Sequence, residues 1–233
     1  MGGICTRAAP PPIWPNRANK GGNRMYTCAS CTITGCRTGQ LDNLPKNCPI
    51  LQPENFDHIL EEYFKAENHE FYVKSSAIEA AGYCRWPRLR EVAEFARSMG
   101  YTRLGLGFCA GLHKEAGLVA QILRKQGFEV VSVICKTGSI PKSEVGIAPE
   151  QQLRPDTREP MCNPIAQAQL LNKAETQFNI ALGLCVGHDS LFYKYSAAPV
   201  TTLVTKDRVT GHNPAAAIYC ADSYFKTRNS IED

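Results

Sequence analysis

Three short apolar runs, each followed by helical or turn-rich sequence, constrain this chain more than any other feature. They are Arg103–Phe108 (RLGLGF), Val130–Ile134 (VVSVI) and Asn179–Leu184 (NIALGL). Runs this short with no polar alternation read as strands buried on both faces. Strands that alternate with helices imply right-handed crossovers and a parallel sheet. The expected order is strand 103–108, helix 112–126, strand 129–135, helix 164–177, strand 179–185, helix 188–194, strand 199–205 and helix 213–226. The expected fold is α/β: a three-layer, flavodoxin-like (Rossmann-like) parallel sheet of about four strands.

A cysteine stands just after each run: Cys109, Cys135 and Cys185. In an open parallel sheet all strand carboxyl ends share one edge, and ligands bind in the crevice there. These three thiols, remote in sequence, are therefore expected to converge. Cys162, in Met161-Cys162-Asn163-Pro164, precedes the helix that feeds the third strand and joins them. Converging thiolates need their charge offset by a cation or an iron–sulfur cluster, helped by helix N-termini and by Lys136. One or two buried cysteines would be ordinary small hydrophobes; four at such positions are less ordinary. The pattern strand, Cys, Gly, His occurs twice, at Leu104–His113 and Ala181–His188, so the edge carries the same chemistry twice. His113, His188 and His212 follow strands one, three and four and are candidates to bind metal, orient a ligand or move a proton near neutrality. Helix caps or solvent-facing positions are the plain alternative. Lys206 and Arg208, beyond the fourth strand, could hold an anionic ligand or be an ordinary polar turn.

A second cysteine group, Cys28-x2-Cys31-x4-Cys36-x11-Cys48-Pro49, lies in a turn-rich segment with too little apolar sequence for its own core. A bound ion would supply the folding energy there. The uneven spacing, with Pro directly after the last Cys, leans towards an iron–sulfur cluster over zinc. The Cys28–Cys31 pair is also a CxxC, but it lacks the strand–helix setting of a thioredoxin-like switch. Cys5, Cys84 and Cys220 belong to neither group, and Cys84 and Cys220 read as packing residues.

Composition bounds the rest. The chain has 233 residues and is 43% hydrophobic, enough for a true core. Its net charge of +4 is accounted for by Arg7, Arg17, Lys20 and Arg24, with no acid before Asp42. The remainder is formally neutral, which argues against a nucleic-acid footprint. No apolar run is long enough to span a membrane, and no signal peptide is evident. Eleven cysteines, an odd number, without an export signal favour reduced thiols in a cytoplasmic setting over disulfides.

Four segments are expected: a disordered tail 1–24, a cysteine-rich metal-binding segment 25–52, a helical segment 53–100 packed on the core, and the α/β domain 101–233. Met25 is a plausible natural start. The stretch 140–160 is long, polar and proline-bearing, as lids and binding loops often are. No Walker loop or G-x-G-x-x-G fingerprint is present; Gly105 and Gly107 fall inside a strand. Ser190 lacks a nucleophile elbow.

The segments Cys28–Pro49, Gly107–Gly111, Cys135-Lys136-Thr137-Gly138, Met161-Cys162-Asn163-Pro164, Gly183–Phe192 and Lys206–Pro214 resemble a family of cysteine-rich proteins of unknown function, described as metal-binding, from anaerobic bacteria and archaea. The likeness covers nearly everything after Met25. It implies cysteine-bound metal and a cytoplasmic setting, and it implies no reaction.

The main expectation is thus a cytoplasmic cysteine-ligated metalloprotein. An iron–sulfur cluster, 4Fe-4S first, is expected, with Zn2+ as the alternative. Cys28, Cys31, Cys36 and Cys48 would hold one centre, and Cys109, Cys135, Cys162 and Cys185 a second, used for electron transfer or small-molecule chemistry. The partner would be a small molecule or a redox protein. Two other classes stand beside this: a zinc-stabilised structural or sensor module, and a thiol enzyme using a strand-end cysteine with His188 or His113 as base.

Overall fold

The computed structural model describes residues 26–230. The tail 1–24, Met25 and Cys5 lie outside the described residues. The chain divides into two compact units, one ending at Lys65 and the other beginning at Ala66.

The first unit is built from short turns. Cys28–Ser30 forms a 3-10 turn, and Gly35–Thr38 a single helical turn (α1). Pro49–Leu51 and Pro53–Asn55 form two more 3-10 turns, each with proline at its start, where the missing N–H costs nothing. Ile59–Phe64 (α2) follows. Asn47 donates its amide to Thr27 Oγ1 at 3.0 Å, tying the neighbours of Cys28 and Cys48 together.

The second unit is a parallel α/β domain. Its helices are Ala66–Gly82 (α3), Arg88–Ser98 (α4), His113–Lys125 (α5), Pro164–Lys173 (α6), His188–Tyr195 (α7) and Pro214–Tyr219 (α8). Its strands are Arg103–Phe108 (β1), Glu129–Ile134 (β2), Phe178–Leu182 (β3) and Val200–Val204 (β4). The sheet order is β2-β1-β3-β4, and every pair is parallel. The central strands β1 and β3 are almost wholly buried, which is why their sequences do not alternate.

Right-handed crossovers put α5 on one face of the sheet and α6 and α7 on the other. On the α5 face, Phe95 of α4 lies 5.4 Å from the Phe178 ring, centroid to centroid. On the opposite face Leu171 and Phe192 crowd β1, and that crowding explains its glycines. A Cβ at Gly107 would stand 2.7 Å from the Phe192 ring, which is itself fully buried. Gly107→Ala is therefore expected to destabilise the domain by about 1–3 kcal/mol, the usual cost of overpacking a closed core. A denaturant titration checks this, and an unchanged midpoint would mean that the ring has room to move.

The third strand stops earlier than its sequence suggests. Strand structure ends at Leu182, and Gly183 adopts φ +65°. Its absent Cβ would lie 2.7 Å from Leu112. Only glycine meets both conditions. The chain turns there and carries Leu184 and Cys185 out along the sheet edge.

Candidate cysteine site at the sheet edge

The strand order reverses between β1 and β3, so their carboxyl ends form the topological switch point of the sheet. Cys109 follows β1, and Cys185 lies just beyond β3. Cys135 follows β2, whose end is fixed against β1 by Cys135 N–H donating to the Phe108 carbonyl at 2.8 Å.

Cys162 arrives by a different route. The chain leaves the edge after Cys135 and returns at Cys162, and backbone pairing clamps the base of this excursion. Met161 N–H donates to Ile140 O at 2.7 Å, and Asn163 N–H to Cys135 O at 2.7 Å. Asn163 then caps α6, its side chain accepting from Ala166 N–H at 3.0 Å, with Pro164 at the first helical position. The Cys-Asn-Pro sequence is thus a local device that stops the return strand and starts the helix beside Cys135.

The four thiols line one recess together with Gln167, Leu184 and His188, and the space between these side chains does not admit a water molecule. Cys109 and Cys135 are buried, and Cys162 and Cys185 half-buried. Three of the sulfurs form a hydrogen-bonded row, Cys109–Cys135–Cys162, which His188 extends at the Cys162 end. Cys135 keeps its proton between two neighbours, and its pKa is pushed far up. The outer two are acidified. Cys109 falls to about 5, through the bond from Cys135, then Gly111 N–H and Lys206. Cys162 falls to about 4, through Cys135 and then His188. The contact with Cys162 in turn raises His188. Opposite charge and hydrogen bonds to the charged form outweigh desolvation here. Cys185 stands apart from the row and accepts from Arg208 Nη2 at 3.3 Å. Ala110 N–H points at Cys135 Sγ at 3.3 Å.

Other candidates from the sequence separate by role. Lys206 reaches Cys109 and Arg208 reaches Cys185, so both cations face thiols directly. Lys136 donates to the Pro160 carbonyl at 2.6 Å and closes the 136–163 excursion, while still lying near enough to favour the Cys162 thiolate. His212 clasps its own loop, its Nδ1 accepting from Asp207 N–H at 3.1 Å. His113 is exposed at the start of α5, its ring against Phe108. Cys84 is exposed at φ +54°, so it is not the packing residue its sequence suggested. Sequence reasoning missed Gln167, since one glutamine on a helix carries no signal of its environment.

In the first unit, Cys28 and Cys36 are exposed, and Cys31 and Cys48 half-buried. Among the described residues no three His, Cys, Asp or Glu side chains are placed to hold one metal ion, and all ten described cysteines are free.

The 140–160 stretch folds as two 3-10 turns held at the base by the Pro141–Pro160 bridge. Lys142 Nζ meets Glu159 Oε1 at 2.9 Å, and Glu159 Oε2 accepts from Leu153 and Arg154 N–H. The Lys142 ammonium chiefly, and these amides, hold the Glu159 carboxyl below the usual carboxylate range. A depressed carboxyl contributes stability above its unfolded pKa and loses it as pH falls through the folded value. The loop is therefore expected to become protease-sensitive on the acid side of the ordinary carboxylate range, and Glu159→Gln to reproduce that sensitivity at neutral pH. Equal cleavage of the variant and the wild type at neutral pH would contradict it.

A larger groove of about 900 Å³, lined by Phe71, Ile78, Arg88, Phe95 and Val200, opens at the amino ends of β3 and β4. It is away from the thiols.

Fold and site together define a three-layer parallel α/β protein with a cluster of four cysteines and a histidine at the carboxyl edge of its sheet. The chain belongs to the family described as protein of unknown function (DUF1847), whose model matches residues 48–203. That span contains Cys109, Cys135, Cys162, Cys185 and His188 but not Cys28, Cys31 or Cys36. It is similar to the uncharacterized protein MJ0455 of Methanocaldococcus jannaschii, 44% identical over 192 residues, which span 82% of this chain and 93% of the archaeal one. Among the described residues no helix is long and apolar enough to cross a membrane.

Proposed function

We propose that the protein is a cysteine-ligated metalloprotein, cytoplasmic, with its working centre in the recess of Cys109, Cys135, Cys162 and Cys185. The observation that carries this reading is convergence: four thiols from four separate segments line one small recess at the switch point of the sheet. The donor set suits a thiophilic ion or an iron–sulfur cluster. Lys206 and Arg208 sit against Cys109 and Cys185, where they would offset the negative charge of bound thiolates. Cys135 would have to give up its proton to become a ligand, so uptake should release protons and weaken in acid.

An iron–sulfur cluster, 4Fe-4S first, is the form proposed, for which the packed thiols would have to move apart, with Zn2+ the alternative and Cys28, Cys31, Cys36 and Cys48 the ligands of a second centre. When bound, such a group would supply electron transfer or Lewis acidity towards a small molecule or a redox partner. The chain's own part would be to place four thiolates and to keep water from the recess. The test is purification without oxygen, with a visible spectrum and with iron, zinc and sulfide measured on one sample. Broad visible absorption with iron and labile sulfide supports the cluster; zinc alone in a colourless protein moves the reading to a structural or sensory zinc site. Absence of both metals counts against the proposal.

One observation favours a second reading, thiol chemistry. Cys162 and His188 are in hydrogen-bond contact, the arrangement that activates a nucleophilic cysteine.

A further inference from the structure

Gln167 is fully buried on the first turns of α6 and lines the thiol recess. Its Nε2 donates to two strand-end carbonyls, Phe108 O at 3.1 Å and Val133 O at 2.7 Å. Both partners are acceptors, so the amide can stand only one way round, with nitrogen towards the strands. Its oxygen then has no hydrogen-bond partner at all. A locked, buried acceptor without a donor is costly, and such groups in folded proteins call for an explanation. Water does not supply one, because the recess has no space for it.

We infer that Gln167 Oε1 is an oxygen donor to a cation held by the strand-end thiolates, which makes the ligand set mixed and not all-sulfur. This rests on the metal reading of the same recess. A bare cation is small enough to enter where water is not. The thiolates attract it, and the amide oxygen, which has lone pairs and no proton, gains the partner it lacks. The two carbonyls that grip Nε2 fix that oxygen in advance, as second partners fix metal ligands generally.

The test uses the full chain, freed of metal, with Co2+ alone as the probe, and compares wild type with Gln167→Met and Gln167→Glu. The methionine removes the oxygen and keeps the length; the glutamate keeps an oxygen and adds charge. Both lose the Nε2 clasp. The expected result, by competition with a chelator, is an affinity loss of about 10-fold or more in Gln167→Met, with a shifted cobalt spectrum, and wild-type or tighter binding in Gln167→Glu. A merely structural glutamine would make the glutamate as weak as the methionine or weaker, since its carboxylate would face two carbonyl oxygens. Equal loss in both variants, or no change in either, overturns the inference and leaves the metal reading standing. No cobalt uptake by the wild type overturns the metal reading itself. X-ray absorption of cobalt-loaded wild type needs no variant: a first shell of sulfur alone would also overturn the role of Gln167.

Discussion

Replacing Cys109 or Cys185 by serine is expected to abolish the metal binding proposed for the sheet edge while the domain stays folded. The two residues lie on opposite sides of the switch point, after β1 and beyond β3. Loss of a thiolate should cost more than the roughly 10–100-fold that loss of an outer partner costs a metal site. The fold should survive because the core is built mainly from larger side chains such as Leu104, Leu106, Ile180, Leu182 and Phe192, to which Cys109 adds only a small group that serine nearly matches in size. Metal per chain and a thermal melt, read on the same samples, decide the matter. Metal content equal to wild type in both variants would refute a centre at this edge, and loss in only one would redraw its ligand set.

The second large effect is a displaced pH profile for the thiols of the metal-free protein. Cys162 has its pKa lowered to about 4, with Cys135 and then His188 as causes. His188 is raised by the same contact. The thiolate–imidazolium pair thus exists from about pH 4 upwards, until pH rises through the elevated His188 value. Signs follow from linkage: the stability from the thiolate is lost as pH falls through the Cys162 value, and that from the imidazolium as pH rises through the His188 value. Alkylation of Cys162 should therefore be nearly flat across neutral pH and fall only in acid, whereas an ordinary thiol gains rate up to about pH 8.5. The shape of the curve is the signature, more than its height, because a low-pKa thiolate is also a weaker nucleophile. His188→Gln should move the inflection of Cys162 upward. An inflection in the ordinary thiol range in wild type would remove the basis for thiol chemistry.

These two outcomes separate the readings. A metal centre predicts that bound ion protects all four thiols from alkylation. A thiol enzyme predicts one reactive cysteine in folded protein that holds no metal at the edge.

Much of the fold was legible in the sequence because its signals are local. An apolar run with no alternation means burial on both faces, and glycine or proline marks where it stops. β1 begins and ends where its sequence indicates, and α7 begins at His188 as expected. The end of β3 was less legible, since Leu184 is apolar whether it continues a strand or, as here, packs beyond one. The meeting of four thiols was also legible, but only through topology: parallel strands put their carboxyl ends on one edge.

Side-chain partnerships were not legible. Arg208 could have faced solvent or an anion; it lies against Cys185, 23 residues away in sequence. His212 could have joined the site; it closes its own loop. Gln167 gave no signal because its environment is made by the ends of β1 and β2, 59 and 34 residues distant. Periodicity records which face of an element is buried and says nothing of which polar atoms meet there.

The amino-acid sequence by itself determined the strand–helix alternation, the parallel sheet and the edge on which Cys109, Cys135, Cys162 and Cys185 gather, because burial pattern and chain handedness are enough for these. Only the tertiary structure decided which thiol keeps the proton, which cations face sulfur and which buried oxygen lacks a partner. Those depend on contacts of a few ångströms between remote segments, and such contacts exist only once the chain has packed.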